Sequence, residues 1–210
     1  MLEELESILP IQFVQLSIPI PYGKKIPSTL LARKFRLPDT SLFLDEERFS
    51  ELFMAWNEEG LIIKVHLDQP FQEALYPDYQ ASDSIELFID TRDLEAGSPT
   101  RFCHHFLILP ESVEGIMAQE LTRFRAEEAR SLANPELICV TTEQNKLKYQ
   151  VQIEIAKEAL YGFDPASFNR LGFTYRINRR GGKPQHFALS SREYTIERQP
   201  DLFATLILKK

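Results

Sequence analysis

Residues 82–110, SDSIELFIDTRDLEAGSPTRFCHHFLILP, decide the fold. Between Asp83 and Asp93, Ile85, Leu87 and Ile89 alternate with Ser84, Glu86, Phe88 and Asp90, the period of two that marks a half-buried strand. Gly97-Ser98-Pro99 follows, Gly free in φ and Pro fixed in it, and together they reverse the chain. The spacing predicts a second strand over 101–109, with Phe102, His104, Phe106 and Ile108 on one face and Arg101, Cys103, His105, Leu107 and Leu109 on the other. Paired antiparallel, these strands bring a carboxylate, a guanidinium and an imidazole (Glu86, Arg101 and His105) to one polar region.

The same period recurs on both sides. Residues 52–56 and 61–68 form a hairpin across Asn57-Glu58-Glu59-Gly60, with Leu61, Ile63, Val65 and Leu67 on a common face. Trp56 ends an apolar strand just before that turn and is predicted to pack against the sheets. Residues 136–142 and 146–155 form another hairpin, in which Leu147, Tyr149, Val151, Ile153 and Ile155 share a face. Strands follow at 171–178, with Arg176 and Asn178 outward, and at 186–189 and 202–208. Upstream, 2–9 reads as a short helix, 11–18 and 30–37 as strands, and 45–50 as a helical turn. Residues 69–80, rich in Pro and Tyr without a period, read as a long loop of the kind that carries binding groups. Residues 111–135 are open between helix formers at 123–132 and a short strand at 116–121; 156–161 reads as one turn of helix stopped by Gly162. About ten short strands with little helix describe an all-β protein, an antiparallel two-sheet β-sandwich with one or two short helices. No linker divides it, so residues 1–210 read as a single sandwich domain, with 1–50 an extension adding one or two strands.

A formal net charge of −7 over 210 residues argues against nucleic acid, whose phosphates need clustered Lys and Arg. No apolar run approaches the roughly 20 residues of a membrane span, so a membrane is not an expected partner. The first residues carry acid where a secretory leader carries Lys or Arg, and the expected location is cytoplasmic. Cys103 and Cys139 lie in apolar runs without metal spacing and read as buried free thiols.

Several chemistries can be weighed residue by residue. Asp83, Glu86, Asp90 and Asp93 could supply oxygens to Ca²⁺, which takes roughly six to eight ligands; carboxylates at alternate strand positions also simply face water. His104 and His105 are neighbours on a strand and point to opposite faces, so they do not chelate one metal. Glu86 and Asp90, four residues apart on a strand, stand about 13 Å apart, beyond the roughly 5–9.5 Å of a glycosidase pair. No nucleophile elbow, P-loop or dinucleotide fingerprint occurs. The chain reads as non-catalytic and cofactor-free, Ca²⁺ being the one ion its acids would suit. Arg176, Asn178, Arg179 and Arg180 form a basic strand end suited to an anion or a protein contact, or simply solvated.

Trp56-Asn57-x-x-Gly60-Leu61, the run from Asp83 to Asp93, and Arg101-Phe102-Cys103-His104-His105-Phe106 resemble the bacterial DOMON-like domains related to family-nine carbohydrate-binding modules. Further matches are Ala159-Leu160-x-Gly162-Phe163-Asp164-Pro165, Arg170-Leu171-Gly172-Phe173-x-Tyr175 and Pro200-x-Leu202-Phe203-Ala204-Thr205-Leu206, so the likeness spans about residues 50–208. The resemblance implies a non-catalytic two-sheet sandwich that often holds a sugar end between aromatic rings. By position, it implies polar ligand contacts at Glu86 and on the strand of Arg101. Sugar-binding relatives grip with two tryptophans, whereas this chain has one; Tyr76, Tyr79 and Tyr194 are the rings that could stand in. The expected function is a binding module for carbohydrate or a similar polar ligand, through Glu86, Arg101, His105, Arg176, Asn178, Tyr76 and Tyr79. The alternative is a protein-interaction domain that kept the sandwich and lost the sugar site.

Overall fold

The alternating runs close into two facing sheets in a computed structural model that describes residues 15–28, 30–121 and 130–210. The smaller sheet is built from β2 (Ser50–Asn57), β3 (Gly60–Leu67), β8 (Tyr149–Ala156) and β7 (Ile138–Gln144), in that order and antiparallel throughout. The larger runs β1 (Ser17–Pro21), β11 (Ala204–Lys209), β9 (Arg170–Asn178), β4 (Ser84–Asp90), β5 (Cys103–Val113) and β6 (Ile116–Glu120). The two-residue β10 (Gln185–His186) adds to β9. Among the described strand pairs β1 against β11 is parallel, a departure from the all-antiparallel expectation, and a parallel bridge from Tyr22 to Trp56 continues it; β1 lies at the sheet margin, where its two prolines forfeit few ladder bonds.

Between the sheets lie the residues that share the inward phase: Ile63, Val65, Ile85, Leu87, Ile89, Phe106, Ile108, Val151, Ile153, Phe173 and Ile177, all shielded from solvent. Each such side chain stabilises the fold by roughly 1.5–3 kcal/mol relative to exposure. Trp56 is buried at the seam, its indole Nε1 donating to the Ile20 carbonyl at 3.2 Å and the Lys209 carbonyl at 3.3 Å. The β2–β3 turn depends on glycine. Gly60 has φ +141°, and a Cβ there would stand 2.0 Å from the Ile155 carbonyl oxygen.

Several expectations are corrected. Residues Leu30–Phe35 form a 3-10 helix rather than a strand, because Ala32-Arg33-Lys34 has no period of two. Residues 41–45 turn and β2 begins at Ser50, leaving no helical turn at 45–50. Only 3-10 turns occur as helix among the described residues. The alternative of a short strand at 116–121 is realised as β6. The helix read at 2–9, the start of the strand read at 11–18 and most of the helix-former run at 123–132 lie outside the described residues. Leu147 falls in the tip of the β7–β8 hairpin and is exposed, since β8 opens two residues later than its alternation suggests. Cys103 is buried, but Cys139 is exposed on β7, where the phase opposite Ile138 and Val140 faces solvent.

The outer face of the larger sheet departs most from expectation. The alternation in β4 predicts a half-buried strand, yet every residue from Ser84 to Asp90 is buried. A third layer covers that face: Leu189, Ile196 and Phe203 pack with Phe88, while Ala74 packs with Leu107 and Leu109, flanked by Tyr76 and Tyr79. Residues 187–203, expected in part as closing strands, serve mainly as this cover.

Candidate functional site

Strand register places the polar groups. Glu86 on β4 lies opposite Arg176 on β9, Ser84 lies opposite Asn178, and Phe88 lies opposite His105 on β5. The four polar side chains Glu86, His105, Arg176 and Asn178 therefore occupy adjacent and diagonal positions on one outer face of three neighbouring strands, within reach of one another. Arg176 grips Glu86 with two parallel bonds, Nε to Oε1 and Nη2 to Oε2, both 2.7 Å. Asn178 Nδ2 donates to Oε1 at 2.8 Å, and His105 Nε2 meets Oε2 at 2.9 Å. Asn178 also donates to the Ser84 hydroxyl, which in turn donates to the Tyr79 carbonyl.

Each Glu86 oxygen thus accepts two bonds and its lone pairs are filled by the protein. Burial alone pushes the Glu86 carboxyl upward, but the hydrogen bonds from His105 and Arg176 and the guanidinium charge outweigh it and hold it at about 2. Burial works against the charged form of Arg176, and the Glu86 carboxylate more than offsets it, so its pKa is raised. Phe88 forms the apolar floor. The His105 ring stacks on it at 4.2 Å, and the Arg176 guanidinium carbon lies 5.9 Å above it.

Toward solvent, Arg176 Nη2 also reaches Glu197 at 3.1 Å, a carboxylate 30% exposed. Tyr79 is half-buried beside the cluster; burial first, then the charge of Glu86, raises its pKa. The exposed Arg180 pairs with Glu73, and its backbone N–H donates to the Asp83 carboxylate, which also caps Gln72 N at 2.7 Å. The loop at 69–82 and the turn after β9 are thereby tied together at the rim.

Of the expected site residues, Glu86, His105, Arg176 and Asn178 converge, with Tyr79 beside them. Arg101 does not. β5 opens at Cys103, and Arg101 lies in the preceding turn, exposed, its guanidinium 5.1 Å over the Phe102 ring. Tyr76 packs beside Leu107 and Leu109 as apolar cover. Arg176 and Asn178 lie on the outer phase as expected, yet they are buried by the third layer rather than solvated. Sequence reading misses Glu197 and Phe88. Glu197 lies in the aperiodic covering segment, and Phe88 carries no mark that separates it from any other strand aromatic.

The acids considered for Ca²⁺ do not converge. Asp90 caps the Arg92 and Leu94 N–H groups, both at 3.0 Å; Asp93 bonds Arg170 and the Thr205 hydroxyl; Asp83 and Glu86 are engaged as described. Among the described residues, no group of three or more His, Cys, Asp or Glu could hold a metal ion. His104 lies on the opposite face from His105, where it meets Glu120 at 2.8 Å, and Arg130 donates to the same carboxylate. Among the described residues, no helix is long and apolar enough to cross a membrane.

No family model and no curated protein sequence matches this chain. Solved structures do. A family-nine carbohydrate-binding module from Caldicellulosiruptor kristjanssonii, in complex with cellotriose, superposes with a TM-score of 0.64 at 14% identity, covering 92% of this chain and 93% of that one. The glucose complex from the same organism gives 0.64 at 13% identity, covering 92% and 95%. A Bacteroides uniformis protein provisionally described as carbohydrate-binding gives 0.55 at 10% identity, covering 93% and 100%. At such identities the likeness is one of fold.

Proposed function

We propose that the chain is a non-catalytic binding module whose ligand is a carbohydrate, taken at the outer face of the larger sheet beside Arg176, Glu197 and Tyr79. The observation that carries this reading is the convergence of Glu86, His105, Arg176 and Asn178 from three adjacent strands, on a fold similar to that of modules crystallised with sugars. In this reading Glu86, with its lone pairs occupied, is a positioning residue: it fixes Arg176, Asn178 and His105. The ligand meets the solvent side of the cluster, where Arg176 donates, Glu197 accepts and the Tyr79 ring offers an apolar face.

One observation favours a second reading. The cluster is complete without a ligand, since protein donors fill every Glu86 acceptor position. A buried network of that kind can serve only to fix strand register, as in a protein-interaction domain without a sugar site. Calorimetric titration with mono- and oligosaccharides separates the two. Saturable binding, lost in Tyr79→Ala and Glu197→Ala with melting temperature unchanged, supports the sugar module. No heat with any saccharide at high concentration would replace it by the second reading.

A further inference from the structure

The smaller sheet carries a second polar hollow. His66 near the end of β3 lies opposite Gln150 on β8, and Gln150 lies opposite Glu143 on β7, so three side chains form a row across three strands. Asp68 follows β3 and Lys148 precedes β8, flanking the row. With Tyr149 these residues wall a cavity of about 340 Å³, within the range of roughly 300–1,000 Å³ usual for small-ligand sites.

One of its walls carries a buried polar atom with no hydrogen-bond partner among the described residues, Nε2 of His66; the Tyr149 side chain, on the opposite phase from Gln150, belongs to the core between the sheets. Buried polar groups are nearly always paired, and a water or a ligand hydroxyl in the hollow is what can complete this nitrogen. The His66 ring is braced against Phe53, 4.8 Å between ring centres. Burial, then the charge of Lys64, lowers its pKa, which favours a neutral imidazole.

We infer that this hollow is a binding site for a small, neutral, polyhydroxylated ligand of monosaccharide size. A hydroxyl both donates and accepts, so it can serve the Asp68 and Glu143 carboxylates, the Lys148 ammonium and either state of the His66 nitrogen. An anion would meet two carboxylates against one ammonium, and a cation would find Glu143 already accepting from Gln150 Nε2 with the Lys148 ammonium beside it. This site is independent of the one proposed above: it lies on the other sheet and shares no residue with it.

The test is NMR titration of the full chain with D-glucose, D-galactose, D-mannose and myo-inositol, and with D-glucuronate as the anionic counterpart. The expected result is saturable shifts at His66 and Gln150 with at least one neutral probe, with D-glucuronate about tenfold weaker or more. Asp68→Asn and Lys148→Gln, both at exposed positions remote from the core, should each weaken binding by about tenfold. The shifts should persist in Tyr79→Ala, which separates this site from the other. Absence of shifts at His66 and Gln150 with all four neutral probes overturns the inference. So do shifts that survive both substitutions, or D-glucuronate binding as well as the neutral probes.

Discussion

Replacing Glu86 by alanine is the sharpest perturbation this chain offers. The substitution removes both acceptors of the two 2.7 Å bonds from Arg176 and leaves that guanidinium with Glu197 as its one carboxylate. It also strips His105 Nε2 and one Asn178 bond of their acceptor beneath the third layer. Removing one member of a buried ion pair costs about 3–5 kcal/mol, chiefly because the other charge stays buried. Asn178 keeps the Ser84 hydroxyl at 3.0 Å and Arg176 keeps Glu197, so about 4 kcal/mol is the expected loss. Urea unfolding followed by tyrosine and tryptophan fluorescence measures it, with unchanged slope and a lowered midpoint. The double replacement Glu86→Leu with Arg176→Met, which empties the site of both charges, should recover at least half of the loss. A cost below about 1 kcal/mol for Glu86→Ala, or a double variant worse than the single, would refute the picture of a saturated, buried pair.

Other outcomes follow from the same structure. Glu86 and Glu120 are both held at about 2 against an ordinary 4.5, so their contribution is fully present above about pH 4.5 and is withdrawn as pH falls toward 2. The share of stability that rests on these two carboxyls should therefore hold down to about pH 5, and the urea midpoint should fall steeply below 4, apart from a shallower loss between pH 7 and 5 from His66, whose pKa is lowered in the fold; a midpoint at pH 3 equal to that at pH 5 contradicts this. Cys139 should react with Ellman's reagent in the native protein, whereas Cys103, buried and with its thiol pushed up to about 11, should react only after unfolding. Equal native reactivity would contradict the outward phase of Cys139 on β7. Gly60→Ala should cost at least about 2 kcal/mol, because its φ of +141° and the 2.0 Å approach to the Ile155 carbonyl leave no room for a methyl group; a neutral substitution there would place the β2–β3 turn elsewhere.

What is legible in the sequence is periodic. Ile85, Leu87 and Ile89, or Val151, Ile153 and Ile155, mark an inner face by alternation, and both hairpins and the pairing of two sheets follow from it. What is illegible is the cover over an outer face. Nothing in Glu86-Leu87-Phe88 distinguishes a solvated polar phase from one buried under a third layer, because the covering residues, Leu189, Ile196 and Phe203, sit in an aperiodic segment about a hundred residues away. The partnership of Glu86 with Arg176 and Asn178 depends on the register of β4 against β9, which no local pattern encodes. Arg101 misleads for a local reason: a turn, not a strand, holds residues 101 and 102. Leu30–Phe35 misleads because its apolar content, without alternation, does not make a strand.

The separation between Glu86 and Arg176, 90 residues along the chain, also sets an order of events. β4 and β5 are near neighbours in sequence and can zip together early, while β9 can add only after a long loop has closed, a step whose entropy makes such pairings slow. Until β9 arrives, Glu86 stays hydrated on a bare hairpin face, so the ionic network belongs to the native side of the folding barrier. Substitutions in it should then accelerate unfolding and leave the folding rate nearly untouched, which a chevron plot of Glu86→Ala reads directly. A slowed folding limb would place β9 in the nucleus instead. On this ordering the polar cluster acts as a latch that sets how long the native state lasts, and has little part in how fast it forms.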